Sequence, residues 1–360
     1  MKDRIYVCHT YYHAYVSFLK EFKFRADAES EGRDPGEATL VLSKMSNDFE
    51  SFGERAMSTG VFKEVIPFDE KRESFFPELE KYSKHTNFLA NTVRRIRKTK
   101  RFAKCLEPFI PVDFKEYKDI YVYCDEDPIG TYLSMHRIYY HAMEDGLNSI
   151  VNIDHAHFAN RTHFGFKAFL SKRLNLIFIQ NGYAKYCIDC EVNDVSAIKI
   201  HSPYYTEVPR KSLTDRLTEA DKEALLKAFI RDIDSLKRQI GEMGDDDKIL
   251  VLTDPLCTLD VRKTIFEDII KMYEPEGRVF LKPHPRDVLD YRKEFPGYPM
   301  FDATVPMELL NFFPGLHFKK AVGVLTEMKA ITFADEAVRL GPDFMDKYEE
   351  PSIHRQNEQI

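Results

Sequence analysis

Residues 4–24 read RIYVCHTYYHAYVSFLKEFKF. The first six form an apolar run of strand-favouring residues, and a helical pattern follows from Tyr12 to about Arg25. The pairing then recurs. ATLVLS (38–43) precedes DFESFGERAMS, and FKEVIPF (62–68) precedes a charged helical stretch from about Glu78 to Leu106. DIYVYC (119–124) precedes a helical PIGTYLSMHRIYYHAM. Strand then helix, repeated at this spacing, predicts a parallel wound sheet.

Residues 211–247 are polar, helical and closed by Gly and Asp, which predicts a hinge. The alternation restarts after it. KILVLTD (248–254) leads to a helix over 261–273, and RVFLKP (278–283) and YPMFDA (298–303) follow as strands. A helix over 306–313, the strand KKAVGVL (319–325) and a helix through MKAITFADEA complete the pattern. The expected fold is α/β, with two Rossmann-like domains facing a cleft. The domains are placed at 1–210 and 248–345, joined by the hinge 211–247 and followed by a tail at 346–360. Ligands of such sheets sit beyond the carboxyl ends of the strands.

A chain of 360 residues can build two cores. Its net charge of -7 argues against a dedicated nucleic-acid binder. No apolar run approaches the ~18 residues needed to cross a bilayer. The N-terminus carries His, Lys and Glu through its middle, unlike a signal peptide, so a cytoplasmic location is expected. Cys8, Cys105, Cys124, Cys187, Cys190 and Cys257 are then expected to stay reduced. The lone CIDC at 187–190 lacks a second pair and reads as two half-buried thiols in a loop rather than a zinc site.

LKPHPRD (281–287) ends a strand with a histidine between two prolines. Each proline fixes its own φ, and Pro285 also disfavours helical geometry at His284. The ring is thereby pre-aimed, and Lys282 and Arg286 make the turn cationic, which suits a phosphate or carboxylate. Glu144 and Asp145 precede Gly146, and paired carboxylates can leave one acid suited to proton transfer near neutral pH. Asp125 and Asp127 form a D-x-D, read as a turn and helix cap rather than a metal pair. One of Asp254 and Asp260 is expected to face the cleft and the other to cap helix 261–273. Glu308 falls in the first turn of a helix begun by Pro306, where a carboxylate favours the dipole and could also accept from a ribose. Thr326 is expected to offer its hydroxyl and a backbone N–H to an anion at a helix N-terminus. The basic run TVRRIRKTKRFAK (92–104) reads as a solvated helix face, with an anionic membrane surface or nucleic acid as alternatives. His155 and His157 are expected in a polar, cleft-lining loop.

Taken in order, these stretches resemble the bacterial lipooligosaccharide sialyltransferases of glycosyltransferase family 52 and the related capsular polysialyltransferases. IYVCHTYYHAYVSFLKE looks like their first strand and helix, Glu144-Asp145-Gly146 like their acidic motif, and KPHPRD like their HP motif; VPMELL (305–310) looks like a segment that follows it. The family's Ser-Ser/Thr pair falls at Leu325-Thr326, so one hydroxyl is missing here. The resemblance implies a GT-B fold and metal-independent, inverting transfer of sialic acid from CMP-sialic acid to a cell-surface glycan. It implies no cofactor. His284 would protonate or hydrogen-bond the departing phosphate, and Glu144 or Asp145 would take the acceptor proton, with Asp260 in reserve. Lys282 or Arg286 would hold the sugar carboxylate, with Pro285, Glu308, Leu325 and Thr326 around the donor. The expected partners are the nucleotide sugar and the glycan. The reading allows a homodimer, and a peripheral contact with the inner face of the membrane through 92–104. The acceptor is expected to be chosen by loops 69–90 and 150–165.

Overall fold

The computed structural model describes residues 1–83, 87–146, 152–242, 244 and 247–354. The expectations that touch 84–86, 150–151 and the end of the tail lie in part outside them. The chain divides into two compact units, Met1–Thr218 and Glu219–Ile360. The division falls inside the stretch expected to be a hinge. The short helix Arg210–Thr214 packs on the helix Tyr11–Glu31 in the first unit, while Glu219–Phe229 packs on residues 307–312 in the second.

The first unit is built on strands β1 (Lys2–Cys8), β2 (Ala38–Ser43), β3 (Glu64–Phe68), β4 (Tyr117–Tyr123) and β5 (Tyr140–Met143). A short pair, β6 (Asn152–Ile153) and β8 (Ile198–Ile200), stands apart from β7 (Cys187–Val192) and β9 (Tyr205–Glu207). The main sheet has the order β3-β2-β1-β4-β5-β7-β9, and every pairing in it is parallel. Central strands of such a sheet are covered on both faces, which is why β1 and β4 read as continuous apolar runs. Ile5, Val7, Ile120 and Val122 are buried in one core cluster. The helix Tyr11–Glu31 starts where the Thr10 hydroxyl accepts from the His13 N–H, and it stops at Gly32, whose φ of 66° suits a residue without Cβ. It is locked to β1 by a buried ion pair, Arg4 Nε to Glu21 Oε1 at 2.8 Å, with the Tyr6 hydroxyl donating to the same oxygen at 2.6 Å.

Several expectations for this unit change: the helical stretch expected from about Glu78 to Leu106 is a 3₁₀ helix, Pro77–Tyr82, followed by an α-helix only over Phe88–Leu106. Tyr140–Met143 is a strand, because the helix Pro128–Met135 ends at His136 and Arg137 takes a φ of 62°. Cys187 and Cys190 lie buried in β7 rather than half-buried in a loop. His155 and His157 sit on a short helix, His155–Ala159.

The second unit carries β10 (Lys248–Leu252), β11 (Arg278–Lys282), β12 (Phe318–Gly323) and β13 (Ala334–Arg339), in the order β11-β10-β12-β13 and again wholly parallel. The helix Leu259–Tyr273 packs Ile265, Phe266 and Ile269 against Ile249, Val251 and Leu281. YPMFDA contributes a single bridge, Met300 to Leu281, instead of a strand. Residues 307–312 form a 3₁₀ helix, and the expected helix after Leu325 is absent: the chain turns and enters β13. No helix of the described residues is long and apolar enough to cross a membrane.

One close approach positions the β4 loop. A Cβ on Gly130 would fall 1.9 Å from the Asp125 carbonyl oxygen, so the helix Pro128–Met135 rests directly on the turn before it. Gly130→Ala should destabilise the chain by at least roughly 1–3 kcal/mol, the usual cost of overpacking. Denaturant unfolding measures it.

Candidate active site

In an all-parallel sheet every strand delivers its loop to the same edge, and ligands collect where the strand order reverses. In the first unit the reversal lies between β1 and β4. His9 follows β1, Glu70 follows β3, Cys124 to Asp127 follow β4, and Glu144-Asp145 follow β5. His9 is buried, with Nε2 at 2.7 Å from Glu70 Oε2 and 3.5 Å from Asp127 Oδ2. Burial is the largest influence and opposes its charged form, but Glu70, helped by Asp127 and Asp145, outweighs that and the pKa is raised. The His9 backbone N–H donates to His13 Nδ1 at 3.1 Å. His13 therefore carries its proton on Nε2, which lies 2.8 Å from Asp145 Oδ1. Burial lowers the His13 pKa against the pull of Asp145, so the ring is a neutral donor, stacked on Tyr123 at 4.5 Å.

The two expected acids have different environments. Glu144 is buried: Oε1 takes Arg210 Nη2 at 3.2 Å, and Oε2 takes the Asn193 N–H at 2.7 Å. Burial raises its pKa more than Arg210 lowers it. Glu144 thus secures the segment that follows β7. Asp145 keeps 30% of its side-chain surface exposed while His13 orients it. A partly exposed carboxylate held in this way can accept a proton from a hydroxyl placed beside it.

The D-x-D splits. Asp125 turns inward, accepting from the Tyr140 hydroxyl at 2.9 Å and the Asn181 N–H at 3.0 Å, and burial raises its pKa to about 7. Asp127 occupies the cap position of the helix Pro128–Met135 but makes no side-chain cap bond. Glu70 accepts the Ile129 N–H instead, at 2.8 Å, so the expected Asp127 cap is corrected. Burial, ahead of the opposing pull of His9, raises the Asp127 pKa to about 6.

In the second unit the order reverses between β10 and β12, and the loops there are cross-linked. Asp254 accepts the Leu325 N–H at 3.1 Å and the Thr326 hydroxyl at 2.8 Å. No helix begins at Thr326, so the anion site expected there is corrected: Asp254 already takes the groups assigned to a phosphate. Neither Asp254 nor Asp260 caps the helix Leu259–Tyr273. Thr258 holds the cap position, and Asp260 is exposed in the first turn. His284 sits beyond β11. Its N–H donates to the Thr253 hydroxyl at 3.0 Å, and its Nδ1 accepts the Arg286 N–H at 3.1 Å. The imidazole proton is therefore on Nε2. Burial first, then Arg286 and Lys282, lowers the His284 pKa to about 4. Lys282 is buried, and its ammonium donates to the carbonyls of Pro283 at 2.9 Å and Ala303 at 3.1 Å. Desolvation lowers its pKa to about 8, against the pull of Asp302 and Glu308. Arg286 and Pro285 are exposed, which leaves Arg286 the more accessible cation of the turn. Glu308 is half-buried on the 3₁₀ helix, and desolvation raises its pKa. Asp287 is the anchor of the turn: it pairs with buried Arg262 and accepts the Tyr291 hydroxyl at 2.8 Å.

Sequence reading missed His9, His13, Glu70 and the Arg262–Asp287 clamp. The only local signal was a histidine at a strand end with a second four residues on. His9, His13 and Cys124 have donor atoms within 4.8 Å of one another and could hold a metal ion. A metal on His13 would have to displace Asp145 from Nε2 or the His9 N–H from Nδ1, whereas among the described residues His9 Nδ1 is buried without a hydrogen-bond partner.

The family profile of glycosyltransferase family 52 matches residues 58–324, and the chain belongs to that family. An uncharacterized protein of Haemophilus influenzae is 30% identical over 106 residues, 28% of this chain and 33% of that protein. The chain thus spans about a third of that relative's length. Among solved structures it is similar to the GT-B domain of a Photobacterium damselae sialyltransferase, with a TM-score of 0.49, 11% identity and coverage of 91% and 86% of the two chains. An α/β-galactoside α-2,3-sialyltransferase of Photobacterium phosphoreum gives 0.47, 11%, 90% and 86%. A UDP-GlcNAc 2-epimerase of Neisseria meningitidis gives 0.40, 9%, 90% and 77%.

Two expected outcomes follow from the geometry. Nitrogen NMR of the histidine rings should find His284 as the neutral Nε2–H tautomer at pH 6. As pH falls it should stay neutral through 6.5 and gain a proton only near 4. Glu144→Ala strands a buried guanidinium, which should cost roughly 3–5 kcal/mol of stability. Calorimetric unfolding measures that loss.

Proposed function

We propose that the chain transfers sialic acid from CMP-sialic acid to a glycan hydroxyl, with inversion and without a metal. The second unit holds the donor and the first holds the acceptor. The family match carries this reading, because it takes in both the Glu144-Asp145-Gly146 and the His284-Pro285 motifs. The acceptor oxygen attacks the anomeric carbon, the bond from that carbon to the phosphate oxygen breaks, and CMP leaves. Asp145 receives the hydroxyl proton, held by the Nε2–H of His13. A phosphate monoester keeps at least one negative charge near neutral pH, with a second pKa of about 6, so its departure needs hydrogen-bond donation more than a proton. A neutral imidazole with its hydrogen on Nε2 supplies that, which favours hydrogen bonding over protonation as the role of His284. Arg286 meets the sugar carboxylate. The absent hydroxyl at Leu325 and the engaged one at Thr326 favour one alternative, a related transferase with a different activated donor.

Hydrolysis of CMP-, CDP- and UDP-activated donors separates the two, and consumption of CMP-sialic acid is expected. Asp145→Asn should lower kcat by about 10²–10⁴-fold, and His284→Ala by about 10²–10³-fold. Asp260→Asn should remain active; a dead Asp260→Asn beside an active Asp145→Asn moves the base to the second unit. Turnover should persist in excess chelator, and its loss would instead implicate His9, His13 and Cys124.

A further inference from the structure

The first unit contains a cavity of about 460 Å³ whose lining includes Arg72, Arg95, Lys98, Phe102, Asp127 and Phe178. Three of these come from one face of the helix Phe88–Leu106, at i, i+3 and i+7. The basic run is therefore divided: Arg95 and Lys98 face the cavity, while Arg97, Lys100, Arg101 and Lys104 are exposed.

Arg95 has an unusual environment. Its guanidinium donates to Asn160 Oδ1 at 2.8 Å and to the Phe178 carbonyl at 3.1 Å, both neutral oxygens. Burial lowers its pKa, with Glu73 opposing, and Glu73 is itself paired with Lys98. Among the described residues Arg95 forms no ion pair. A largely desolvated cation without a counter-ion is costly, and an anion entering the cavity would relieve that cost. Arg72 is exposed at the rim. Phe102 and Phe178 offer apolar walls, and Glu126 and Asp127 offer oxygens that accept from hydroxyls. Apolar walls, carboxylates and one unpaired guanidinium together suit a sugar that bears an acidic group. The cavity also connects to the base. Asp127 touches His9, the His9 N–H donates to His13, and His13 donates to Asp145.

We infer that this cavity is the acceptor subsite and that it selects a glycan carrying a carboxylate or phosphate, with Arg95 and Arg72 binding that anion. The inference rests on the assignment of the acceptor to the first unit. Retention of the full chain on immobilised glycans tests it, using sets that are neutral, carboxylated or phosphorylated on the same scaffolds. Anionic glycans should be retained about tenfold or more over neutral ones, as expected for a charge-assisted contact, and the favoured set tells carboxylate from phosphate. Arg72→Ala and Arg95→Gln should each remove that preference, with circular dichroism confirming that both fold. Arg72 is exposed, so its variant keeps the test valid if Arg95→Gln unfolds. Equal retention of neutral glycans, retention of no glycan, or variants that bind as the wild type does would each overturn the inference. Donor hydrolysis by the wild-type chain without acceptor reports separately on the donor reading. Failure there with anionic glycans still retained would remove the sialyl donor and leave the subsite.

Discussion

The two main sheets run every strand in one direction, and the layout of the molecule follows from that. A parallel pair cannot be joined by a tight turn, so each strand is followed by a crossover that returns over a face of the sheet. The faces become dry, and the polar residues that end the strands are gathered on one edge. His9, Cys124 and Asp145 are far apart in sequence, yet they meet because β1, β4 and β5 are neighbours in register.

The two edges use charge differently. In the first unit, imidazoles and carboxylates form a chain from Glu70 through His9 and His13 to Asp145, and the members at its two ends face opposite demands. Glu70 is buried and caps a helix, whereas Asp145 keeps solvent on one side. In the second unit, charge mostly fixes loops. Asp254 binds the loop after β12, and Asp287 with Arg262 binds the turn after β11 to the loop after β10. His284 is thereby presented by a frame that leaves it little freedom. Its low pKa comes from the same frame, since burial and two neighbouring cations all oppose a second proton.

This division of labour suits a glycosyltransferase. On the proposed function, a carboxylate that accepts a proton benefits from a neutral orienting partner and partial access to water, and Asp145 has both. On the same proposal, a group that meets a departing phosphate needs a fixed donor rather than a strong acid, and His284 keeps its hydrogen on Nε2 because Nδ1 is occupied. Lys282 and Glu144 share the motifs of these two residues but do structural work, tied to carbonyls and to Arg210 respectively.

Two wound α/β units, and the strand ends that carry the HP turn and the acids, were readable from the residue pattern alone. Apolar runs of five to seven residues and the spacing of helices are local properties, so β1, β2, β4, β10, β11 and β12 were legible. β5 was not, because Tyr140–Met143 has a composition that either a helix or a strand accepts, and only pairing with β4 and β7 settles it. The same holds for β13, where acidic residues hide an edge strand held by β12. Which carboxylate stays accessible, which lysine is buried, and that Asp254 takes the Thr326 hydroxyl depend on the folded arrangement. Hydrogen bonding and desolvation depend on what stands opposite a side chain in space, and residues 72 positions apart leave no local trace of that.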